Sequence, residues 1–499
     1  MNKLKVLASE TLIYGASSIL GRLLNYLLVP YYTYVFAAGQ YGVITEFYAY
    51  AAFLNVLYTY GLETAYFRFA TLDRTQEASV FNRTTSSILF SSILFSGLLI
   101  LFATPIVEYL EYPGKENYIR WFAFILSIDA VLAIPFAKLR LEGKSTLFAT
   151  SKLINIALNI ALNLFLLSVC PSILRGEMLS SAKPFIESFY NPGFNIEYVF
   201  LSNLIANAAL VLILWKTLAS LRITFDWQKL KPLLVYGYPI LFAGLAWVTN
   251  EMLSRWALRF WLPEGFYPGL SNEAALGVFG AVYKFSVFMT LAVQAFRYAA
   301  EPFFFSQAAD KNSPALFSQV THGFILFGCV IILGVSINLD LLQYLLRQEV
   351  YRQGMHVVPI LLLANLFLGV YYNVSIWYKI TDKTYYSTWI AVAGALLTVV
   401  LNYVLIPIAG YEGSSWVTLL VYFFMAAVCY SYGQKYFPVP YPILKDLSYI
   451  AITVFVIYLT NQIIPESLWL LLLFRGGVIL TFIVTIYSVE RKNFESMKK

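Results

Sequence analysis

Long apolar runs separated by short polar breaks fill the chain from end to end. Runs of 20 or more residues, rich in Leu, Ile, Val, Phe and Ala, are bounded by charged residues or by Gly and Pro. Each is long enough to cross a hydrocarbon layer of roughly 30 Å as a helix. The pattern predicts about fourteen spans, lying near 9–36, 43–70, 84–110, 117–141, 147–170, 195–219, 233–262, 274–304, 315–340, 354–379, 384–408, 413–434, 441–463 and 467–489. An even number of crossings puts both termini on one side.

Composition agrees with this picture. Of 499 residues, 60% are hydrophobic and 12% charged, against about 45–50% and about 25% in soluble domains. One soluble core cannot absorb that excess, so the expected fold class is an all-α polytopic membrane protein. The net charge of +7 sits in the polar breaks, and no basic tract is long enough to serve as a nucleic-acid arm. Cys170, Cys329 and Cys429 are far apart and embedded in apolar segments, which implies neither a disulfide framework nor a metal knuckle. His322 and His356 are the only histidines; with no cysteine or carboxylate beside them in sequence, no metal site is expected. The opening MNKLK resembles a signal-peptide n-region, but Glu10 and Arg22 follow without an A-x-A site, so the segment reads as an uncleaved first span.

Lysine and arginine orient the spans. With a cytoplasmic N-terminus, 22 of the 34 fall in or beside inner loops, including Lys138, Arg140, Lys144, Lys152, Lys216, Arg222, Lys229, Lys231, Arg491, Lys492, Lys498 and Lys499. Only Lys115, Arg120, Arg175, Lys183, Arg347 and Arg352 fall in outer loops. This is the positive-inside asymmetry, and it predicts that both termini are cytoplasmic. The longest outer loop, Pro171 to Tyr198, reads as a connector with a short interfacial helix.

Six basic residues lie inside spans: Arg22, Arg255, Arg259, Lys284, Arg297 and Arg475. In TNEMLSRWALRFWLP, residues 249–263, Glu251, Arg255 and Arg259 recur every four residues and share one helix face. Arg22 sits about ten residues from either end of its span, roughly 15 Å from each interface at 1.5 Å per residue, too deep to snorkel. Some charges have an acidic neighbour on their own helix: Glu251 with Arg255, Arg297 with Glu301, and Glu63 with Arg68. Arg22, Arg259 and Lys284 have none. Asp129 is a lone carboxylate in span 4, and with Glu251 it is a candidate for carrying a coupling proton.

Internal matches suggest a repeat. Tyr14-Gly15 recurs as Tyr236-Gly237, YGVITEFYAYAAF (41–53) aligns with LGVFGAVYKFSVF (276–288), and GKSTLFATSKLINIALNIALNLFLL (143–167) aligns with DKTYYSTWIAVAGALLTVVLNYVLI (382–406). The offsets, 222, 235 and 239, rise in chain order, as small loop insertions would make them. Two six-helix bundles of the same orientation are expected, at 1–220 and 221–436, followed by two additional helices and a cytoplasmic tail at 437–499.

Fourteen spans in this 6+6+2 arrangement, the Tyr41-Gly42 turn before span 2, GLETAYFRF at 61–69 and LNYVLIPIAGYEGSSWVTLL at 401–420 resemble the multidrug/oligosaccharidyl-lipid/polysaccharide flippase superfamily. The polysaccharide transporter branch, with its O-antigen and capsule repeat-unit flippases, is the best match. The resemblance implies that spans 1, 7 and 8 line a central cavity. It implies a substrate, an undecaprenyl-pyrophosphate-linked oligosaccharide carried across the bacterial inner membrane for surface polysaccharide biosynthesis. In that reading Arg22, Arg255, Arg259, Lys284 and Arg297 bind the pyrophosphate, because arginine meets phosphate oxygens in bidentate fashion and lysine adds a point charge. Glu251, Asp129 and Glu63 supply charge balance or ion coupling. The expected motion is alternating access, with Pro30, Pro135, Pro239, Pro359 and Pro407 as kink points. Spans 13 and 14 would form a groove for the lipid tail.

The sequence has no P-loop and no paired catalytic carboxylates, and the loop from Pro171 to Tyr198 has no histidine and no nucleophile–base pair, so a transporter rather than an enzyme is expected. It would need no cofactor and be driven by a proton or sodium gradient. Its partners would be the lipid-linked oligosaccharide, membrane lipid, and the polymerase and glycosyltransferases of the same pathway. The alternatives are a peptidoglycan lipid-precursor flippase and a cation-coupled multidrug exporter. An exporter cavity would favour acidic and aromatic groups over these cations.

Overall fold

Backbone amides cannot hydrogen-bond to lipid, so a chain this apolar satisfies them within helices. The computed structural model describes residue 15 and residues 19–307, 313–463, 465 and 467–496, and among these it is helical with no strand. Glu10, Tyr14, Lys498 and Lys499, and so the start of span 1 and the first repeat match, lie outside the described residues.

Eleven helices among the described residues are long and apolar enough to cross a membrane. One of them, Tyr385–Tyr436, is two spans joined at Gly410, whose φ of 54° and ψ of −136° leave the helical region. Two further segments precede the eleven. Span 1 ends in Leu28–Val35, and span 2 is Ala38–Thr59 continued by Leu62–Leu72. Among the described residues the helices are roughly consistent with the fourteen expected spans, and this is a multi-pass membrane protein. Spans 3 to 10 are Arg74–Leu101, Glu116–Leu141, Ser145–Leu174, Ile196–Ile213, Trp227–Trp261, Asn272–Phe305, Ser313–Ser336 and Glu349–Ile380, and spans 13 and 14 are Ile443–Asn461 and Leu468–Arg491.

Several local expectations are corrected. Span 2 is not one straight helix; it breaks at Tyr60-Gly61, both with positive φ, where the Gly61 backbone packs directly on Gly237 and leaves no room for a Cβ. Pro359 does not kink a span, because it occupies the first turn of Val358–Val374, where its missing N–H is harmless. Pro135, Pro239 and Pro407 do lie inside helices. The loop from Pro171 to Tyr198 carries a five-residue helix, Lys183–Glu187, as its reading as a connector with a short helix expected. At the turn between spans 2 and 3, Asp73 accepts from the Thr75 hydroxyl at 2.6 Å, the Thr75 amide at 3.0 Å and Gln76 at 2.8 Å. These bonds favour the charged carboxylate and hold it below its ordinary range.

The chain divides into two compact units: Met1–Leu28 with Val43–Val248, and Val29–Gly42 with Thr249–Lys499. In the first unit, Tyr58, Leu62, Tyr66 and Phe81 from spans 2 and 3 pack on Leu126 and Ile134 of span 4 and on Leu230 and Leu233 of span 7. In the second, Phe304, Phe317 and Ile376 close the core at one end of spans 8, 9 and 10.

Residues aligned as repeats adopt the same local structure. Asn163 and Asn402 are both fully buried, and each donates to the carbonyl four residues before it at 2.8 Å. Gly143 and Asp382 both take positive φ, 69° and 56°, in the turns before spans 5 and 11. Within the second unit, Gly42 of span 2 meets the Glu273 carbonyl of span 8, while its aligned counterpart Gly277 meets the Ala38 carbonyl of span 2. Ala38 and Glu273 are themselves aligned at the same offset of 235. The crossing is therefore symmetric, each helix presenting the same position to the other.

Candidate functional site

In the first unit, Asp129 sits mid-way along span 4 and accepts from Asn207 of span 6 at 2.9 Å. Asn207 also accepts from Asn155 of span 5 at 2.9 Å. Lys152, one turn before Asn155 on span 5, lies within electrostatic reach of Asp129 and 4.2 Å over the Phe136 ring. Asn203, one turn from Asn207, donates to Tyr48 of span 2 at 2.8 Å. Spans 2, 4, 5 and 6 thus share a buried polar layer centred on the one carboxylate that looked solitary in sequence. Charge in a low dielectric needs such partners; Asn207 bonds the carboxylate directly and Lys152 acts on it electrostatically.

Glu63 does not pair with Arg68. It forms an ion pair with Arg140 at the end of span 4, while Arg68 stacks 4.7 Å over Tyr236. The i,i+5 spacing was too wide, and span 4 brings a better-placed cation. Arg22 is exposed, next to Gly21, which packs tightly on Ile156 of span 5.

The second unit holds the other predicted cations, and it separates them into different roles. Arg259 is buried and pairs at 2.7 Å with Glu273 in the first turn of span 8. Its partner lies across a turn, so the absence of an acid on its own helix was misleading. Arg297 pairs with Glu301 at 3.5 Å, as its spacing suggested, but Glu301 is shared with Lys379 of span 10 at 2.5 Å. Arg297 also lies 4.7 Å over Tyr372. These two cations and one carboxylate line a small pocket at the ends of spans 8 and 10. Arg475 pairs with Asp340 at 2.6 Å.

Arg255 is different. Its guanidinium lies 4.5 Å over the Tyr283 ring of span 8, and Nη1 donates to the Met252 sulfur at 2.8 Å. Its Nε is buried without a hydrogen-bond partner. Among the described residues no carboxylate lies within ion-pairing distance of Arg255; Glu251, the expected partner, is exposed one turn away. Tyr422 of span 12 lies within electrostatic reach of both. Span 7 is held there by Asn250, which donates to the Ala391 carbonyl at 3.1 Å and accepts from Thr398 at 2.9 Å, both on span 11. Lys284 is exposed on a 3-10 turn, Lys284–Ser286, that interrupts span 8 one residue after Tyr283.

The histidines were misread as isolated. His322 lies 2.5 Å from Asp446 and 3.3 Å from Glu490, and His356 lies 3.8 Å from Glu412. Their partners are up to 168 positions away in sequence, so spacing could not reveal them. Among the described residues, no group of three or more His, Cys, Asp or Glu side chains is arranged to hold a metal ion.

The architecture can now be compared with solved structures. The lipid II flippase MurJ in an inward closed conformation superposes with a TM-score of 0.71 at 12% identity, over 96% of this chain and 99% of that one. An inward-facing multidrug resistance MATE family transporter of the MOP superfamily gives 0.64 at 11% identity, over 83% and 94%. The chain shares the fold of these two transporters. An outward-facing conformation of a multidrug resistance MATE family transporter gives 0.54 at 12% identity, over 86% and 95%. A family model described as polysaccharide biosynthesis protein matches residues 36–174, spans 2 to 5. No curated protein matches the sequence.

Proposed function

We propose that this protein is a flippase that moves an undecaprenyl-pyrophosphate-linked oligosaccharide across the bacterial cytoplasmic membrane by alternating access. The observation that carries this reading is Arg255: a deep cation, stacked on an aromatic ring, with a buried N–H that no protein group accepts. A buried donor left unsatisfied costs about 1–3 kcal/mol, and a phosphate oxygen would relieve that cost. The exposed Lys284 nearby in sequence adds a second positive charge to the same unit. Arg22, exposed in the first unit, is proposed as a separate phosphate contact there. Arg259 and Arg297 are committed to Glu273 and Glu301, so their role in this reading is to shape and steer rather than to grip the substrate. The family model supports the glycan assignment through its polysaccharide description.

In the same reading a proton gradient drives the cycle, and the Asp129 layer of the first unit carries the proton. The polymerase and glycosyltransferases of the pathway are the expected functional partners. A second reading, flipping of a peptidoglycan precursor, is favoured by the likeness to the lipid II flippase MurJ over nearly the whole of both chains. Complementation separates them. The gene should restore surface glycan to a strain lacking its own oligosaccharide flippase, and should fail to support growth of a strain depleted of its lipid II flippase. The reverse outcome would establish the second reading.

A further inference from the structure

Spans 13 and 14 lie outside the twelve-helix repeat, and ionic contacts at two levels hold them to span 9 and the segment just after it. At one level Arg475 of span 14 pairs with Asp340, four residues after span 9 ends. At the other, five side chains meet. The imidazole of His322 in span 9 lies between two carboxylates, with Nδ1 2.5 Å from Asp446 of span 13 and Nε2 3.3 Å from Glu490 of span 14. The second contact is off the line of a hydrogen bond. Glu490 is fully buried, and it also takes Lys445 at 2.7 Å and the Tyr449 hydroxyl at 2.6 Å. The charge bias puts this level near the inner face.

Each neighbouring element contributes to the electrostatics here. Span 13 supplies Lys445, Asp446 and Tyr449, and span 14 supplies Glu490, followed by the exposed Arg491. Span 9 adds Cys329, within reach of Asp446. Counting His322, Lys445, Asp446 and Glu490, the cluster is neutral only when the imidazole is protonated. A neutral imidazole has one N–H and can serve one carboxylate; the imidazolium has two and faces both. With the proton gone, the buried carboxylates of Asp446 and Glu490 lose the cation that lies between them. That uncompensated charge is costly in a low dielectric. By contrast, the Arg475–Asp340 pair contains no imidazole.

We propose that His322, Asp446 and Glu490 form a proton-binding site that fastens the inner ends of spans 13 and 14 to span 9, and that loss of the proton releases those ends about the fixed Arg475–Asp340 contact. Span 13 borders an apolar crevice of about 280 Å³ whose wall includes its Asp446 and Leu447 and Thr321 of span 9. The site therefore sets the width of that crevice according to pH. The sign follows from the charge count: the helices are seated at pH values where the imidazole is charged, and they loosen as pH rises through its titration. This inference rests on the geometry of the second unit and not on the identity of the transported lipid.

The test is the distance between spin labels at F327C on span 9 and V489C on span 14, both exposed sites, in full-length protein in nanodiscs. The native cysteines are buried and can stay in place. Between about pH 5.5 and about pH 8.5, which bracket imidazole titration, the distribution is expected to shift to longer distance and broaden. H322Q should give the long distribution at both pH values. D446N leaves Glu490 with Lys445 and no surplus charge, so it should give the short one at both. A wild-type distribution that does not move with pH, or a shift that persists in H322Q or D446N, overturns the proposal. If H322Q does not insert, the wild-type titration and D446N decide it.

Discussion

Arg255 and Tyr283 stand face to face at 4.5 Å, a cation laid on a ring from the next span. The stack fixes the guanidinium plane, as a cation–π contact worth about 0.5–2 kcal/mol can. It leaves the charge available, because no carboxylate among the described residues neutralises it. An arginine held this way is pre-organised to meet two oxygens of a doubly anionic group such as a pyrophosphate.

Replacing Arg255 should therefore weaken substrate binding without unfolding the protein. A charge-assisted hydrogen bond contributes about 1.5–3 kcal/mol, so R255A should reduce affinity for the lipid-linked substrate roughly 10- to 100-fold. R255K keeps the charge but loses the fork and should fall between. Equilibrium binding with purified variants measures this; wild-type affinity in R255A would remove Arg255 from the site.

Arg259 makes the opposite prediction. It is buried against Glu273, and breaking one side of a buried pair costs about 3–5 kcal/mol. R259A should lower thermal stability in detergent clearly, and R259A combined with E273A should lose less than the sum of the two single changes. Additive losses would mean that the pair is not coupled.

Much of this was legible in sequence, and the limits have a physical cause. Span number follows from apolar length alone, since lipid requires every backbone group to be satisfied within a helix. The repeat was legible because turns and buried asparagines constrain local geometry: Gly143 matches Asp382, and Asn163 matches Asn402. Partners of charged residues were not legible. Glu63 found Arg140, Arg259 found Glu273 and His322 found Asp446, all on other helices. Spacing reports only the neighbours on one helix face, whereas burial pairs charges across helices. Asp129 and its asparagines belong to the same class.

The crossing of spans 2 and 8 can be tested through its glycines. At Gly42 or Gly277 an added methyl would meet the carbonyl of the other helix, and overpacking of this kind costs about 1–3 kcal/mol. G42A and G277A should each lower stability and slow transport, because the two helix starts can no longer close on each other. G97A, where the methyl meets nothing within 4 Å, should leave transport unchanged. Normal transport by G42A would show that this close approach is not part of the cycle.

Asp129 should matter for energy coupling rather than affinity. D129N retains the hydrogen bond to Asn207 in amide form but cannot carry a proton. In proteoliposomes it should bind substrate normally and lose the acceleration that an imposed pH gradient gives the wild type. An unchanged response to the gradient would move the coupling site elsewhere.

The central claim, a cationic site for a lipid pyrophosphate, is tested most directly by native mass spectrometry of the purified protein with undecaprenyl-pyrophosphate-linked oligosaccharide. Wild type should retain this lipid in preference to neutral lipid and to cationic drugs, R255A should lose it, and R68A, whose arginine stacks on Tyr236 in the first unit, should keep it. Equal retention by wild type and R255A, or a preference for cationic drugs, would contradict the account.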